Sequence, residues 1–267
     1  MKDPVVKNYW RKFERKDART RAEVVAPIEN KLNQFLLTPR LRNILGQVKN
    51  RVDVRRVMDR GQILIVNLSK GKMGGAGANL LGSLLVTQFQ IAAMSRADIR
   101  EDKRRDFNLY IDEFHSFVTE SFASILSEAR KYRLCLTLAH QYFEQIDPVI
   151  LAALTGNAGT LIAFRVGHSD AEPVERAFGR EYVAHQFTSL NHGEICARLL
   201  QRGRDHGPYF GRTFPLSDFV YGRSDRIVRN SRKYYGVKQE IVERRISDWI
   251  DRIAPDSPGF RPKRNRG

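Results

Sequence analysis

Asp112 and Glu113 close the apolar run Leu109-Tyr110-Ile111, and they are the residue pair best suited to chemistry. Phosphoryl transfer needs a carboxylate to hold Mg²⁺, directly or through water, and a second group to orient the attacking water. Successive strand residues point to opposite faces. Adjacent acids can therefore divide the work, Asp112 facing a metal and Glu113 facing the water. Taken alone, the same pattern fits a strand running out into solvent. Gln141 follows the next apolar run, Leu134 to Ala139. If the two runs are neighbouring strands, its amide stands beside the acids, where it can bond a lytic water or a γ-phosphate. Between them, Ser127-Glu128-Ala129-Arg130-Lys131 ends a helical pattern in two cations. These fit either the dipole at a helix C-terminus or a finger reaching a neighbouring subunit's site.

The elements that must position these groups alternate along the chain. Gln62 to Leu68, Phe107 to Ile111, Leu134 to Ala139 and Thr160 to Arg165 read as short buried strands. Helical patterns separate them: Asn79 to Ser95, a stretch marked by Val118, Phe122, Ile125, Leu126 and Ala129, then Val149 to Leu154 and Asp170 to Phe178. Strands that are apolar throughout and alternate with helices imply an α/β fold with a largely parallel sheet, helices on both faces and a ligand edge at the strands' C-terminal ends. From Glu194 to Phe214 the pattern becomes a β-hairpin with its turn near Gly203–Gly207. Residues 5–47 read as basic helix interrupted at Pro27. Ile241, Val242, Ile246, Trp249, Ile250 and Ile253 mark a last helix, which Pro255 and Pro258 end. The tail from Arg261 to Arg266 reads as disordered.

Charge is unevenly spread. The net charge is +16, of which residues 1–60 carry +9, residues 61–221 zero and residues 222–267 +7. A neutral core of 61–221 between a basic helical segment (1–60) and a basic C-terminal segment (222–267) suits contact with a polyanion, although solvated helix faces give the same composition. Two cysteines without metal or disulfide spacing, Cys135 and Cys196, suggest a reducing, cytoplasmic setting. The first residues show no secretory pattern. The uncharged stretch Met73 to Ser95 holds Asn79, Ser83, Thr87, Gln88 and Gln90, which favours a buried helix over a membrane span. The six histidines form no metal set. His168-Ser169-Asp170 has triad residue types but not triad geometry, and Asp170 reads as a helix N-terminal residue. Tyr234, Tyr235 and Phe260 lie among cations and fit either base stacking or, for the two tyrosines, packing on the last helix.

As an ordered set, the motifs resemble the C-terminal ATPase half of the HerA/TraG/TraD class of P-loop motors, which includes type IV secretion and conjugation coupling proteins. The matching strings are Ile63 to Gly71, Leu81 to Leu85, Tyr110 to Phe114, Ser127 to Lys131, Leu138 to Gln141 and Gly156-Asn157, with Thr160 to Phe164 and Asp170-Ala171 after them. Arg202-Gly203 with Pro208-Tyr209, and Ser231 to Gly236 followed by Val242-Glu243, continue the series. The resemblance implies a RecA-like P-loop NTPase core with helical flanks. It makes Asp112 and Glu113 the Walker B acids, with Asp112 on Mg-ATP, Gln141 the sensor and Arg130 the arginine finger. It further implies ATP and Mg²⁺ as ligands, a homohexamer, DNA in single-stranded transfer as substrate, and relaxosome or secretion-channel partners.

One part of the class pattern is missing. No Gly-x-x-x-x-Gly-Lys-Ser/Thr string occurs. The nearest segment, Gly71-Lys72-Met73, is at best a degenerate phosphate loop. The expectation is an N-terminally truncated chain, with the phosphate loop and any inner-membrane anchor upstream. A HerA-type repair translocase and a non-catalytic DNA-binding or assembly remnant are the alternatives.

Overall fold

The computed structural model describes residues 3–118, 122–179, 183–201, 203–216 and 221–253. Arg202 and the expected C-terminal stretch with Pro255, Pro258, Phe260 and Arg261 to Arg266 lie outside them. The chain divides into two compact units. One comprises residues 1–51, 67–78 and 230–267, and the other 52–66 and 79–229.

The first unit is helical among its described residues. Helix α1 (Pro4–Glu14) is started by Asp3, whose carboxylate accepts from the amide of Val5. Helix α2 (Ala18–Leu36) runs on through Pro27, against the expected break there. Proline removes one ladder donor, and here the helix continues across that loss. Helix α3 (Pro39–Leu45) and helix α12 (Gln239–Ile253) meet around Leu41 and Val242, both buried. Asn43 donates to Glu243 at 3.0 Å across that contact. The glycine-rich stretch forms a four-residue helix, α5 (Lys70–Met73), before α6 (Gly75–Ser95) begins.

The second unit is mixed α/β and holds the acids. Strands β1 (Phe107–Ile111) and β2 (Leu134–Leu138) pair in parallel, Phe107 opposite Leu134 and Ile111 opposite Leu138. Helix α4 (Val54–Asp59) and α6 supply Val54, Met58, Val86, Phe89 and Ala93 to one core with them. Helices α7 (Phe122–Glu128) and α8 (Pro148–Asn157) add Phe122, Ile125 and Ile150. A second sheet is antiparallel, in the order β3 (Thr160–Ala163), β4 (Glu194–Gln201), β5 (Arg204–Arg212). Helices α9 (His168–Phe178) and α10 (Ala184–Thr188) close a small core around Phe178, Phe187 and Cys196. Helix α11 (Ser224–Tyr235) buries no residue.

Three expectations about the sheet are corrected. Residues 62–68 form no strand: Leu64 packs inward, but Ile63 and Ile65 are exposed and no backbone ladder forms along the stretch. An apolar, β-branched run becomes a strand only when another strand pairs with it. Thr160 to Ala163 pairs antiparallel with β4, and so stands outside the parallel pair. Nor is the parallel pair covered on both faces. Leu109, Ile111, Leu134 and Leu136 face the core, whereas Asn108, Tyr110, Cys135 and Thr137 are exposed. Strand β5 begins at Arg204, so Gly207 falls within it and not in the hairpin turn.

The N-terminal edge of the parallel pair is tied by Arg96, which is fully buried. Its guanidinium donates to the carbonyls of Tyr132 (2.9 Å) and Arg105, and its Nε lies 3.0 Å from Asp59 Oδ1, off the N–H axis. Asp59 also accepts from Arg55 at 2.6 Å. Burial pushes the Arg96 pKa down, and Asp59 opposes that shift. One side chain thus joins α4, the end of α6, the approach to β1 and the turn before β2. Replacing Arg96 with Met leaves the carbonyls of Tyr132 and Arg105 without their donor, while Asp59 keeps Arg55. Chemical denaturation is expected to show a loss of about 2 kcal/mol or more; an unchanged midpoint would refute this role.

Candidate active site

The two acids sit where the parallel pair ends, and the ladder does not stop at the strands. The amide of Ala139 donates to Ile111 O at 3.0 Å, and the amide of Phe114 donates back to Ala139 O at 3.1 Å. These two bonds carry the register one step past each strand. They bring the Asp112-Glu113 turn alongside the His140-Gln141 turn. Gln141 Nε2 donates to Glu113 Oε1 at 2.5 Å.

The backbone turns sharply to achieve this. Glu113 has φ 50° and ψ 42°, the left-handed region that a side chain with a Cβ rarely enters. Such a residue costs on the order of 1 kcal/mol or more, and surrounding structure must hold it there. Phe114, 1% exposed, anchors the following 3₁₀ turn Phe114–Ser116 in the core. Asp112 Oδ1 accepts the amide of Glu113 at 3.0 Å. Gly82 of α6 allows this turn to settle, since a Cβ there would stand 2.2 Å from the ring of Phe117.

The two acids occupy different environments. Asp112 is exposed, and its second oxygen takes no bond among the described residues. Glu113 is half-buried, with Gln141 on one oxygen and His115 Nδ1 3.6 Å from the other. His140 lies behind them, its ring 5.3 Å from that of Phe114 and 4.9 Å from that of Phe143. Burial pushes the His140 pKa below its ordinary 6.5. His115 pushes the same way, while Glu113 and Asp170 oppose. Asp170 is 1% exposed in the first turn of α9 and accepts the Phe143 amide at 3.1 Å. It braces the loop after β2 through that bond.

Gln141 and Glu113 are therefore brought together, with Asp112 next to them. Arg130 is not. It is exposed in the 3₁₀ turn Ala129–Tyr132, just before β2, with Lys131 beside it. The carbonyl of Arg133 there accepts the amide of Phe107, so this turn adjoins the N-terminal ends of both strands. The acids stand at the C-terminal ends, a strand of five residues away, on the order of 15 Å. Within one chain Arg130 cannot serve this site.

The glycine-rich segment folds as the short helix α5 followed by the start of α6. The amides of Lys72 and Met73 donate to Ser69 O, that of Gly74 to Lys70 O, and that of Ala78 to Gly74 O. Amides committed to helix bonds are not free to wrap an anion, which takes Lys72, Met73 and Gly74 out of any phosphate loop. Among the described residues no three His, Cys, Asp or Glu side chains gather as for a metal centre. The metal side of a nucleotide site fits the exposed Asp112 carboxylate, with water and phosphate oxygens as the remaining ligands.

The motifs assign no role to His115, Asp170 or Arg96, which the structure places beside Glu113, against the loop after β2 and at the other edge of the strands. His115 carried a signal, falling two places after Glu113. Asp170 carries its helix-start position and the Asp170-Ala171 match, and Arg96 carries no signal. Tyr234 and Tyr235 are exposed, so they do not pack away on α12.

No protein-family model matches this chain, and no curated protein matches it. Among solved structures it is similar to the genome packaging NTPase B204 from Sulfolobus turreted icosahedral virus 2, in complex with ATP-gammaS. The TM-score is 0.41 at 14% identity, over 60% of this chain and 74% of that one. Similarity of that degree identifies neither the fold nor the site. Among the described residues no helix is long and apolar enough to cross a membrane.

His140 gives a pH test. With its folded pKa depressed, the unfolded chain takes the proton first as pH falls below 6.5. Stability is expected to fall on acidification through that range. His140→Phe, which keeps a ring between Phe114 and Phe143, is expected to flatten that part of the profile. Denaturation midpoints from pH 8 to 5 compare the two proteins; parallel profiles would contradict the assignment.

Proposed function

We propose that this chain is part of an ATP-driven DNA translocase, in which Glu113 and Gln141 handle the lytic water and Asp112 the metal. The observation that carries the reading is the Gln141–Glu113 hydrogen bond at the C-terminal ends of two neighbouring parallel strands. Glu113 would take a proton as the water oxygen bonds to the γ-phosphorus and the β–γ bridging bond breaks. Gln141, bonded to the same carboxylate, would hold the water in line. A Mg²⁺ at Asp112 would offset the charge on the phosphate oxygens.

The position of Arg130 supports a role across a subunit boundary, since it stands at the opposite edge of the parallel pair from the acids. That geometry, with the ordered motif resemblance, favours an oligomeric ring of the HerA/TraG/TraD kind and a hexamer in particular. Within the class, the motif set favours a coupling protein of conjugation or type IV secretion over a repair translocase. Neighbouring relaxase or secretion genes would fit the former, nuclease genes the latter.

One observation favours a second reading. No phosphate-loop string occurs, and the glycine-rich segment is helical. A non-catalytic DNA-binding or assembly role follows if nothing else supplies the phosphate grip. The complete gene product decides between them. ATP binding and DNA-stimulated hydrolysis are expected, and Glu113→Gln should lower kcat by about 10²-fold or more with ATP binding retained. Absence of ATP binding would leave only the second reading, and an unchanged kcat would remove Glu113 from the chemistry. Arg130→Ala should lower kcat to a similar extent. Mixed with Glu113→Gln subunits it should recover part of the activity, because some boundaries then combine an intact finger with intact acids. A lack of recovery would place Arg130 outside the site.

A further inference from the structure

Helix α1 has a cleanly divided surface. Val6, Tyr9, Trp10 and Phe13 recur at the spacing of one helix face, Lys7 and Lys12 border it on either side, and Arg11 lies on the opposite one. None of its residues is buried. Val5 is 76% exposed, Tyr9 59% and Trp10 44%. The aromatic rings pack on one another instead, Trp10 edge-on to Tyr9 at 6.0 Å and to Phe13 at 5.5 Å. The helix is set up locally by Asp3 as cap and Pro4 in the first turn.

The unit that contains α1 carries most of the excess charge. Residues 1–51, 67–78 and 230–267 hold 25 basic and 10 acidic residues, whereas the other unit holds 21 and 20. An aromatic-aliphatic face bordered by cations, on a helix of low mean hydropathy, is the composition that settles at a lipid–water boundary. Tryptophan and tyrosine prefer the headgroup level, and lysine and arginine stems reach past the apolar face to place their charges there. Single-stranded bases stack on aromatic rings beside cations, but Tyr9, Trp10 and Phe13 pack edge-on against one another, and bases offer no apolar phase to the aliphatic Val6 of the same face.

We propose that α1 is a peripheral membrane-binding helix that lies on an anionic bilayer surface, with Trp10 at its centre. This goes beyond the reading of Glu113 and Gln141 and stands independently of it. The anionic headgroup, rather than the acyl phase alone, selects the surface, because each juxtaposed cation adds attraction to it.

Tryptophan occurs twice in the chain, at Trp10 and Trp249. A Trp249→Phe background therefore makes Trp10 the sole emitter in the full chain. Vesicles of phosphatidylcholine with one third phosphatidylglycerol are expected to move its emission to shorter wavelength and to be bound roughly tenfold or more tightly than pure phosphatidylcholine. Lys7→Glu with Arg11→Glu should weaken binding to the anionic vesicles by on the order of tenfold. Val6→Ser with Phe13→Ser should abolish the emission shift, and the helix buries nothing whose loss would unfold the chain. Equal binding to both vesicle types, or to neither, overturns the proposal. So does a shift produced by single-stranded oligonucleotide in place of lipid. A shift that grows with protein concentration without lipid also overturns it, since it marks self-association.

Discussion

The register of β1 against β2 is the constraint on which the candidate site depends. A parallel pair fixes which strand ends lie side by side, and two further bonds, Ala139 to Ile111 and Phe114 to Ala139, extend that decision past the last paired residues. Without them, Asp112-Glu113 and His140-Gln141 would be two unrelated loop tips. With them, a carboxylate and an amide distant in sequence come within bonding distance. The left-handed conformation of Glu113 is the local cost of that arrangement. It is held by Phe114, which the core keeps, and by Phe117, which sits where Gly82 leaves room.

The opposite edge of the same pair is fixed by charge rather than by backbone alone. Arg96 satisfies carbonyls on the approaches to both strands and faces Asp59. A buried guanidinium is stable there only because those partners surround it. The consequence for chemistry is indirect. The turn that holds Arg130 follows from the same tie, since Tyr132, whose carbonyl Arg96 holds, lies two residues on. The cation is therefore presented at a defined edge, away from the acids of its own chain.

Much of the site was legible because its logic is local. An apolar run ending in two acids, and another ending in Gln141, announce strand ends, and the structure pairs those runs as adjacent parallel strands. The mixed α/β character and most helices followed from periodicity in the same way. What did not follow depends on partners. Residues 62–68 have strand composition, yet β-structure exists only where a second strand supplies the ladder. The run Thr160 to Ala163 looked like a further parallel strand, but the hairpin that begins at Glu194 gave it an antiparallel neighbour. Composition cannot tell these outcomes apart, because direction and pairing are decided by where other segments go. Arg96 was invisible for a related reason: a charged residue at a helix end reads as exposed until tertiary partners enclose it.

Charge shows how far tertiary structure can sharpen a sequence statement. Along the chain, the basic excess appears as two separate ends with a neutral middle. In three dimensions both ends belong to one compact unit, and the unit that carries Glu113 and Gln141 is close to neutral, with 21 basic and 20 acidic residues. A field from many surface cations would depress carboxylate pKa values and draw anions indiscriminately. The immediate neighbours of Glu113 are Gln141, His115 and the half-buried ring of His140. The two kinds of electrostatics, a diffuse attraction for polyanions and a local environment for proton transfer, thereby reside in different units of one chain, and substitutions that alter the first need not disturb the second.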